Sequence, residues 1–264
     1  MKRNLAAPNK GRSPVYQSSA LGYRRKGEEK VIKAVILDFY GTIVEESYAL
    51  LDRIAEVFVA HGAVLGREKI AALWWPHFRE QCDAAYGDSF CLQRDIYPKV
   101  FECMARETGA EGIDFEALRK EIISFAVTSP MLKDAEKFLE ECPLPYYILS
   151  NIDNAELRQI VSLHGLRPRG IFTSEDAMEY KPRKGIFKKG LKKFGLSANE
   201  AVYAGDSYIN DYCGASEAGI LSFWLNRKKE PVPKGVRALP DLYALLPILE
   251  RIRNLENTNE NDAR

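Results

Sequence analysis

From about residue 130 onward, short apolar runs alternate with amphipathic stretches. The runs PYYILSN, GIFTS, AVYAGD and GILSFWLN are predicted strands, and AELRQIVSLHG, GIFKKGLKKFG and YINDYCGASEAG are predicted helices. This alternation predicts an α/β fold with a doubly wound parallel sheet that carries helices on both faces. The run VIKAVIL, far upstream at residues 31–37, has the same texture and is predicted to join that sheet.

The segment between this first strand and the others has a different pattern. Residues 48–125 lack strand signals and show helical spacing, for example at Leu50 and Ile54. We therefore expect residues 31–47 and 126–255 to form the core domain and residues 48–125 to form a smaller, all-helical cap domain. Because the segment leaves the carboxyl end of a strand, where such sheets bind ligands, we expect it to act as a lid.

The two ends of the chain differ in composition from the middle. Residues 1–30 hold eight basic side chains against two acidic ones and few periodic apolar residues, which predicts a disordered basic tail. Residues 256–264 are polar and are predicted to form a frayed tail. The net charge of +1 gives no support for a nucleic-acid partner.

Cysteine usage and hydropathy bear on the compartment. The five cysteines are odd in number and scattered, with no CxxC pair, which argues against a zinc site or a disulfide framework. No apolar run approaches the roughly 18 residues of a membrane span, and no segment resembles a signal peptide. We therefore expect a cytoplasmic protein with reduced thiols and no membrane partner.

Polar motifs follow the predicted strands, where a doubly wound fold gathers its chemistry. A carboxylate at the end of a buried strand costs desolvation energy, and two carboxylates at one helix entry repel each other unless a cation lies between them. The four motifs are Asp38 with Thr42 in ILDFYGTI, Ser150-Asn151 after PYYIL, Lys181-Pro182 in EYKPRKGIF, and Asp206 with Asp211 in GDSYINDYCGA.

In this order the motifs resemble the signature of the haloacid dehalogenase-like hydrolase superfamily, which reads DxDx[TV], then [ST], then Lys, then GDxxxxD. The resemblance covers roughly residues 31–230 and includes a helical cap inserted after the first motif. It implies a Rossmann-like core, a hydrolase activity and a small-molecule substrate that is phosphorylated or halogenated.

The resemblance also implies roles for individual residues. Asp38 would be the nucleophile that forms a covalent aspartyl intermediate. Thr42 and Ser150, the latter followed by Asn151, would hydrogen-bond the transferring group, and Lys181 would neutralise the nucleophile and the developing charge.

A metal site is implied in the same way. Asp38, Asp206 and the backbone carbonyl of Tyr40 would hold Mg²⁺, with Asp211 as a ligand or as an outer support. Oxygen ligands of this kind favour Mg²⁺ over zinc.

Tyr40 departs from the pattern of the family's phosphatases, which have a second aspartate at this position as general acid and base. Such help is worth roughly 10²–10⁴ in rate, and a phenol with a pKa of about 10 cannot act as that base at neutral pH. The dehalogenase branch carries a D-x-Y-G-T turn like this one, and YKP and FWLNR extend that likeness. A halide leaves without needing a proton.

Two features favour a phosphatase. Gly205-Asp206 is intact, whereas the metal-independent dehalogenases replace this pair with small polar residues. The stretch ALWWPHFRE places Trp75 where the dehalogenase cap supplies a substrate-binding arginine, with Arg79 one turn further along.

Three functional hypotheses follow. The first is Mg²⁺-dependent hydrolysis of a phosphate ester or anhydride through an aspartyl-phosphate on Asp38. The second is a metal-independent 2-haloacid dehalogenase with Asp38 as the nucleophile, and the third is a binding or regulatory protein that keeps the fold with weak catalysis. For the cap aromatics we favour packing in the cap core over lining a substrate pocket; these are Trp74, Trp75, Phe78 and Tyr86.

Overall fold

A computed structural model describes residues 31–46 and 48–262 of the 264-residue chain. The predicted basic tail, residues 1–30, lies outside the described residues. Six strands form one sheet in the order β3-β2-β1-β4-β5-β6, and every neighbouring pair is parallel. The strands are β1 (Ala34–Leu37), β2 (Tyr146–Ser150), β3 (Ile171–Thr173), β4 (Ala201–Gly205), β5 (Leu221–Leu225) and β6 (Ala238–Leu239).

The doubly wound parallel sheet expected from the alternating pattern is thus confirmed. β1 is shorter than the apolar run that predicts it, and β6 has only two residues, which is too short to give a periodic signal. β1 lies between β2 and β4, so that the chain crosses over in opposite directions on its two sides. Ligands bind at the carboxyl ends of the strands at such a switch point.

Within the described residues, ten α-helices connect or flank these strands. They are α1 (Tyr48–Ala60), α2 (Arg67–Ala84), α3 (Gln93–Thr108), α4 (Phe115–Ala126), α5 (Lys133–Glu141), α6 (Asn154–Leu163), α7 (Ser174–Ala177), α8 (Lys184–Phe194), α9 (Gly214–Glu217) and α10 (Leu246–Asp262). A π-helical turn, Tyr208–Cys213, precedes α9, where the sequence predicts one continuous helix.

Both faces of the sheet are covered by helices. Alternate residues of β1 point to opposite faces, since Val35 and Leu37 belong to one buried apolar cluster and Ile36 to another. The first cluster includes Phe138 of α5, and the second includes Phe187 of α8. The uniformly apolar sequence of β1 follows from this burial on both sides.

The four helices α1 to α4 pack around a third apolar cluster, and we call residues 48–126 the helical insertion. Its buried side chains include Phe58 of α1, Trp74 of α2 and Phe101 of α3. Tyr180, which lies outside the insertion, is also a member of this cluster. The insertion follows β1 in the chain, as the sequence predicts. The division into two domains stays a prediction.

α10 continues through Asp262, further than the polar composition of residues 256–264 predicts. The segment contains neither proline nor glycine, so that nothing in it stops helix propagation. Among the described residues, no helix combines the length and the apolar character that a bilayer crossing requires.

Candidate active site

Asp38 follows β1 and stands almost fully buried at the carboxyl edge of the sheet. Its backbone N–H extends the ladder by donating to the carbonyl of Ala204 at 3.0 Å. The chain then turns tightly, with the Ile43 N–H donating to the Phe39 carbonyl at 2.7 Å. Gly41 has a φ of +73°, and a Cβ there would lie 2.4 Å from a carboxylate oxygen of Asp206. Glycine is therefore required on both conformational and steric grounds.

The Asp38 carboxylate collects donors from three separate segments. Lys181 Nζ donates to its Oδ1 at 2.6 Å, and Ser150 Oγ donates to the same oxygen at 2.8 Å. Thr42 Oγ1 lies 3.4 Å from Oδ2 in a longer contact. The structure thus brings together four of the residues that the sequence assigns to the site.

Lys181 is buried among carboxylates. Its Nζ also donates to Asp211 Oδ1 at 2.6 Å and to the hydroxyl of Tyr203 at 3.1 Å. Burial by itself lowers the pKa of an ammonium group, but the charges of Asp211 and Asp38 outweigh it and raise the pKa of Lys181 to about 12. Lys181 is therefore charged throughout the physiological range.

Tyr203 is a residue of the site that the motifs do not reveal. It lies on β4, is fully buried, and its hydroxyl lies 2.9 Å from Asp211 Oδ1 and 3.1 Å from the Leu149 carbonyl. Burial, and then the charge of Asp211, raises the pKa of this phenol well above its ordinary range. In the sequence it is an ordinary aromatic strand residue, which explains why it gives no signal.

Three carboxylates, from Asp38, Asp206 and Asp211, each place an oxygen within 4.8 Å of the others. Burial, followed by the charges of Asp38 and Asp211, raises the pKa of Asp206 well above its ordinary value. Within the described chain, the Asp206 carboxylate accepts no hydrogen bond, although its backbone carbonyl accepts one from Trp224 Nε1 at 2.9 Å. A carboxylate held beside two others without a donor suits a divalent cation.

Asp211 differs from Asp206 because its oxygens are already in use. Besides Lys181 and Tyr203 on Oδ1, its Oδ2 accepts the backbone N–H of Ser207 at 2.9 Å. A Cβ on Gly205 would lie 2.3 Å from the Asp211 carboxyl carbon, so the glycine admits this carboxylate. These contacts favour an outer supporting role for Asp211 over direct ligation.

The hydroxyl of Tyr40 bonds to the main chain and not to the Asp38 carboxylate. The hydroxyl donates to the backbone carbonyl of Ala126 at 3.1 Å. Burial, with a smaller contribution from Glu156, raises its pKa above the ordinary value of a phenol. The Tyr40 phenol is therefore even less able to act as a base at neutral pH than an ordinary phenol. The atom of Tyr40 that can coordinate a cation is its backbone carbonyl oxygen.

Asn151 pairs with the backbone of Lys181 and not with Asp38. Its Oδ1 accepts the Lys181 N–H at 2.7 Å, and its Nδ2 donates to the Lys181 carbonyl at 3.2 Å. The side chain therefore positions the lysine, which refines its assignment among the catalytic residues.

A second, partly buried arrangement holds the turn after Asp38. Arg227 donates from Nε to the Gly41 carbonyl at 2.8 Å and from a terminal nitrogen to the Thr42 carbonyl at 3.1 Å. Asp134 accepts two hydrogen bonds from the same guanidinium, both at 2.9 Å. The motif FWLNR includes this arginine, but only the fold reveals what it binds.

A cavity of about 750 Å³ opens above the carboxylates and reaches the helical insertion. Trp74, Trp75 and Phe78 of α2 line it, with Arg79 at the same end. Trp74 is only 3% exposed and stacks on Phe78 at 5.5 Å, as the core interpretation predicts, whereas Trp75 is 41% exposed. Tyr86, which is 52% exposed, is not among the lining residues. The aromatic stretch therefore serves both the core and the cavity wall.

The sequence profile of the family described as haloacid dehalogenase-like hydrolase matches residues 35–225, from β1 through β5. The chain belongs to this family. The match spans all four strand-end motifs and the insertion between the first two.

The chain is also similar to curated proteins of two different names. The chain is 35% identical over 103 residues to haloacid dehalogenase-like hydrolase domain-containing protein 3 of Danio rerio, covering 37% of this chain and 42% of the relative. It is 29% identical over 79 residues to glyceraldehyde 3-phosphate phosphatase of Pyrococcus abyssi, covering 30% and 33%. The matched stretches therefore span less than half of either relative.

Solved structures show the same fold at low identity. The HAD-hydrolase YfnB from Bacillus subtilis, solved with bound magnesium, superimposes with a TM-score of 0.68 at 20% identity, covering 84% of this chain and 100% of that one. The L-2-haloacid dehalogenase RSc1362 gives a TM-score of 0.69 at 20% identity, covering 83% and 99%. The fold is therefore shared by metal-binding members and by dehalogenases.

Proposed function

We propose that the protein is a Mg²⁺-dependent phosphohydrolase that acts on a small-molecule phosphate ester or anhydride through an aspartyl-phosphate on Asp38. The observation that carries this proposal is the group of three carboxylates within 4.8 Å of one another, of which Asp206 has no donor among the described residues. Lys181 compensates only one of their charges. A divalent cation would balance the rest, and an anionic substrate without it would be repelled.

The residues present fit Mg²⁺. Asp38 and Asp206 supply carboxylate oxygens, the Tyr40 carbonyl follows Asp38 by two residues, and Asp211 supports the site from behind Lys181. When bound, Mg²⁺ would neutralise charge on the phosphoryl oxygens and hold them near the nucleophile.

Asp38 is the group that reacts. Its carboxylate oxygen forms a bond to phosphorus while the bond from phosphorus to the leaving oxygen breaks, and water later hydrolyses the resulting acyl phosphate to phosphate. Lys181 stays protonated, as its raised pKa ensures, and holds the carboxylate in place through Oδ1. Ser150 and Thr42 donate toward the same carboxylate and are positioned to serve the transferring group.

The chemistry of the Tyr40 side chain restricts the kinds of phosphate compound that we expect as substrates. With its hydroxyl bonded to the Ala126 carbonyl and its pKa raised, it supplies no proton to a leaving alkoxide. Substrates whose leaving group needs no proton, such as acyl phosphates and aryl phosphates, are therefore expected to react faster than alkyl phosphates.

The deciding experiment is a paired assay on the purified protein. Phosphate release from acetyl phosphate and p-nitrophenyl phosphate is followed with Mg²⁺ or with EDTA, beside chloride release from 2-chloropropionate, and Asp38→Asn is the control. We expect phosphate release that requires Mg²⁺, is inhibited by vanadate and is lost in Asp38→Asn. Chloride release that is unaffected by EDTA would instead establish a dehalogenase.

The dehalogenase remains the second candidate because of two observations. Tyr40 occupies the position that it has in that branch, and Arg79 lines the cavity without an ion pair to any described residue. An unpaired guanidinium there is suited to the carboxylate of a haloacid. The third hypothesis, a binding protein with weak catalysis, predicts vanadate binding with neither phosphate nor chloride release.

A further inference from the structure

Asp153 lies at the start of α6 but does not cap that helix. Its carboxylate accepts the backbone N–H of Gln93 at 2.9 Å and that of Arg94 at 3.1 Å, on the helical insertion. The Asn154 N–H of α6 donates to Glu175 instead, at 2.7 Å. Asp153 therefore serves a helix 60 residues away in sequence in preference to its own.

α3 depends on this external cap. Its own N-cap residue, Leu92, has no side-chain oxygen, and Gln93 and Arg94 are its first two residues, whose N–H groups have no partner within the helix. α4 of the same insertion is capped locally, by Asp114. Asp153 is fully buried and also receives the Arg94 Nε at 3.0 Å, so that its charge is compensated.

Two residues of the candidate active site lie shortly before Asp153: Ser150, the last residue of β2, and Asn151, in the loop that follows. Ser150 donates to Asp38, and Asn151 clamps both backbone groups of Lys181. The Asn151 carbonyl in turn accepts a hydrogen bond from the Gln93 side chain at 3.1 Å. The four-residue segment 150–153 thus contacts Asp38, Lys181 and the insertion at the same time.

A second attachment reaches the lysine directly. Tyr180, which precedes Lys181, packs in the apolar cluster of the insertion, and its ring centroid lies 5.3 Å from that of Phe90 in a tilted arrangement. Its hydroxyl donates to the Cys91 carbonyl at 2.7 Å. The segments that deliver Ser150 and Lys181 to Asp38 are therefore both anchored to the stretch of the insertion that precedes and begins α3.

We propose that Asp153 is a positioning residue that couples the docking of α3 on the core to the placement of Ser150 and Lys181 around Asp38. When the hydrogen bonds of Asp153 to Gln93 and Arg94 are lost, α3 loses its N-terminal cap and the segment 150–153 is no longer held against α3. The Asn151 clamp on Lys181 then loosens, and the lysine is displaced from the nucleophile. The coupling holds whether the transferring group is a phosphoryl group or the carbon of a haloacid.

The first test is backbone amide hydrogen exchange, resolved by residue, on the full chain without ligand. The Gln93 and Arg94 amides report the cap, and the Lys181 amide, which donates to Asn151, reports the clamp. Asp153→Asn replaces one of the two carboxylate oxygens by an NH₂ group, which cannot accept a hydrogen bond from the backbone N–H groups of Gln93 and Arg94. We expect exchange to accelerate at least tenfold at all three amides.

The matched control is Asp114→Asn, which alters an N-cap aspartate of the insertion. Its side chain accepts from Glu116 and Ala117 and bonds to no described residue outside the insertion. We expect it to accelerate exchange at those two amides and to leave Lys181 unchanged. If Asp153→Asn fails to fold, Arg94→Met, which removes only the ion pair, takes its place. Acceleration at Gln93 and Arg94 with an unchanged Lys181 amide would overturn the coupling.

A kinetic test with acetyl phosphate rests on the proposed function, whereas the exchange test does not. We expect Asp153→Asn to lower kcat about 10- to 100-fold with KM within twofold of wild type, because small misplacement of reacting groups has effects of this size. A merely structural role would lower the folded fraction and leave kcat per folded molecule unchanged, and that result would also contradict the proposal. Absence of turnover in the wild type would refute the phosphohydrolase and leave the exchange result to decide.

Discussion

The strand-end cluster around Asp38 and the cavity wall on α2 are built in opposite ways. In the cluster, the Lys181 side chain makes three close contacts, to Asp38, Asp211 and Tyr203. These side chains are almost entirely buried. On the wall, Trp75 is 41% exposed, and Arg79 has no hydrogen bond or ion pair with any described residue.

The difference separates two kinds of requirement. Reacting groups must be held within a fraction of an ångström, which is achieved by several hydrogen bonds to each side chain. A wall that receives the rest of a substrate needs only shape and apolar surface, and its side chains can change without disturbing the core. Changes in the cluster should therefore alter kcat, and changes in the wall should alter KM.

The largest effect is expected for Asp38→Asn. An amide is not a nucleophile toward phosphorus, and the loss of a covalent catalyst typically lowers kcat by about 10⁴-fold or more. Single-turnover phosphate release measures it, and thermal unfolding checks that the variant is folded. Activity within tenfold of wild type would show that Asp38 is not the nucleophile. The proposed difference between the cluster and the cavity wall would then fail as well.

Ser150→Ala should have the next largest effect. Its hydroxyl donates to Asp38 Oδ1 at 2.8 Å, and removing one such preorganised donor lowers kcat by about 10²–10³-fold. Steady-state kinetics with acetyl phosphate should show the loss in kcat with little change in KM. An increase in KM alone would assign Ser150 to substrate binding and blur the contrast with the wall.

Trp75→Ala tests the wall itself. Loss of an aromatic contact is worth about 0.5–1.5 kcal/mol, so KM for p-nitrophenyl phosphate should rise roughly three- to tenfold. KM for acetyl phosphate, which has no ring, should be unchanged. Tyr86→Ala is the control, since this aromatic residue of the insertion is also exposed but does not line the cavity. Equal effects on both substrates, or in both variants, would show that the wall does not contact the substrate.

Tyr40→Phe should have the smallest effect on rate. Because its hydroxyl is bonded to the Ala126 carbonyl, we expect kcat to change less than about threefold, while the free energy of unfolding falls by about 1 kcal/mol. Urea titration and steady-state kinetics measure the two quantities. A large loss of kcat would mean that the phenol takes part in the reaction and that the cluster extends to Tyr40.

Much of this arrangement could be predicted from local pattern. The runs around β1, β2, β4 and β5 are apolar because the strands are buried on both sides, and the motif residues follow them directly. Since parallel strands end at one edge of a sheet, residues as distant as Asp38 and Lys181 could be expected to meet. The two-residue strand β6 and the full extent of α10 carry too little periodicity to be predicted.

Other contacts could not be predicted, because they depend on which segments the fold brings together. Tyr203 has the pattern of a core strand residue, and only the packing of β4 places its hydroxyl between Lys181 and Asp211. Asp153 has the pattern of a local helix cap, and only the docking of α3 turns its carboxylate to Gln93.

The sequence by itself determined the parallel sheet and the position of the helical insertion, because burial and strand order leave a periodic record in the chain. It also determined the family, through the four strand-end motifs and the profile match that spans them. The tertiary structure decided the direction of the Tyr40 hydroxyl, the hydrogen-bond partners of Asp211 and the capping of α3 by Asp153. These are contacts between side chains and partners distant in the sequence, and their geometry is fixed only when the elements pack.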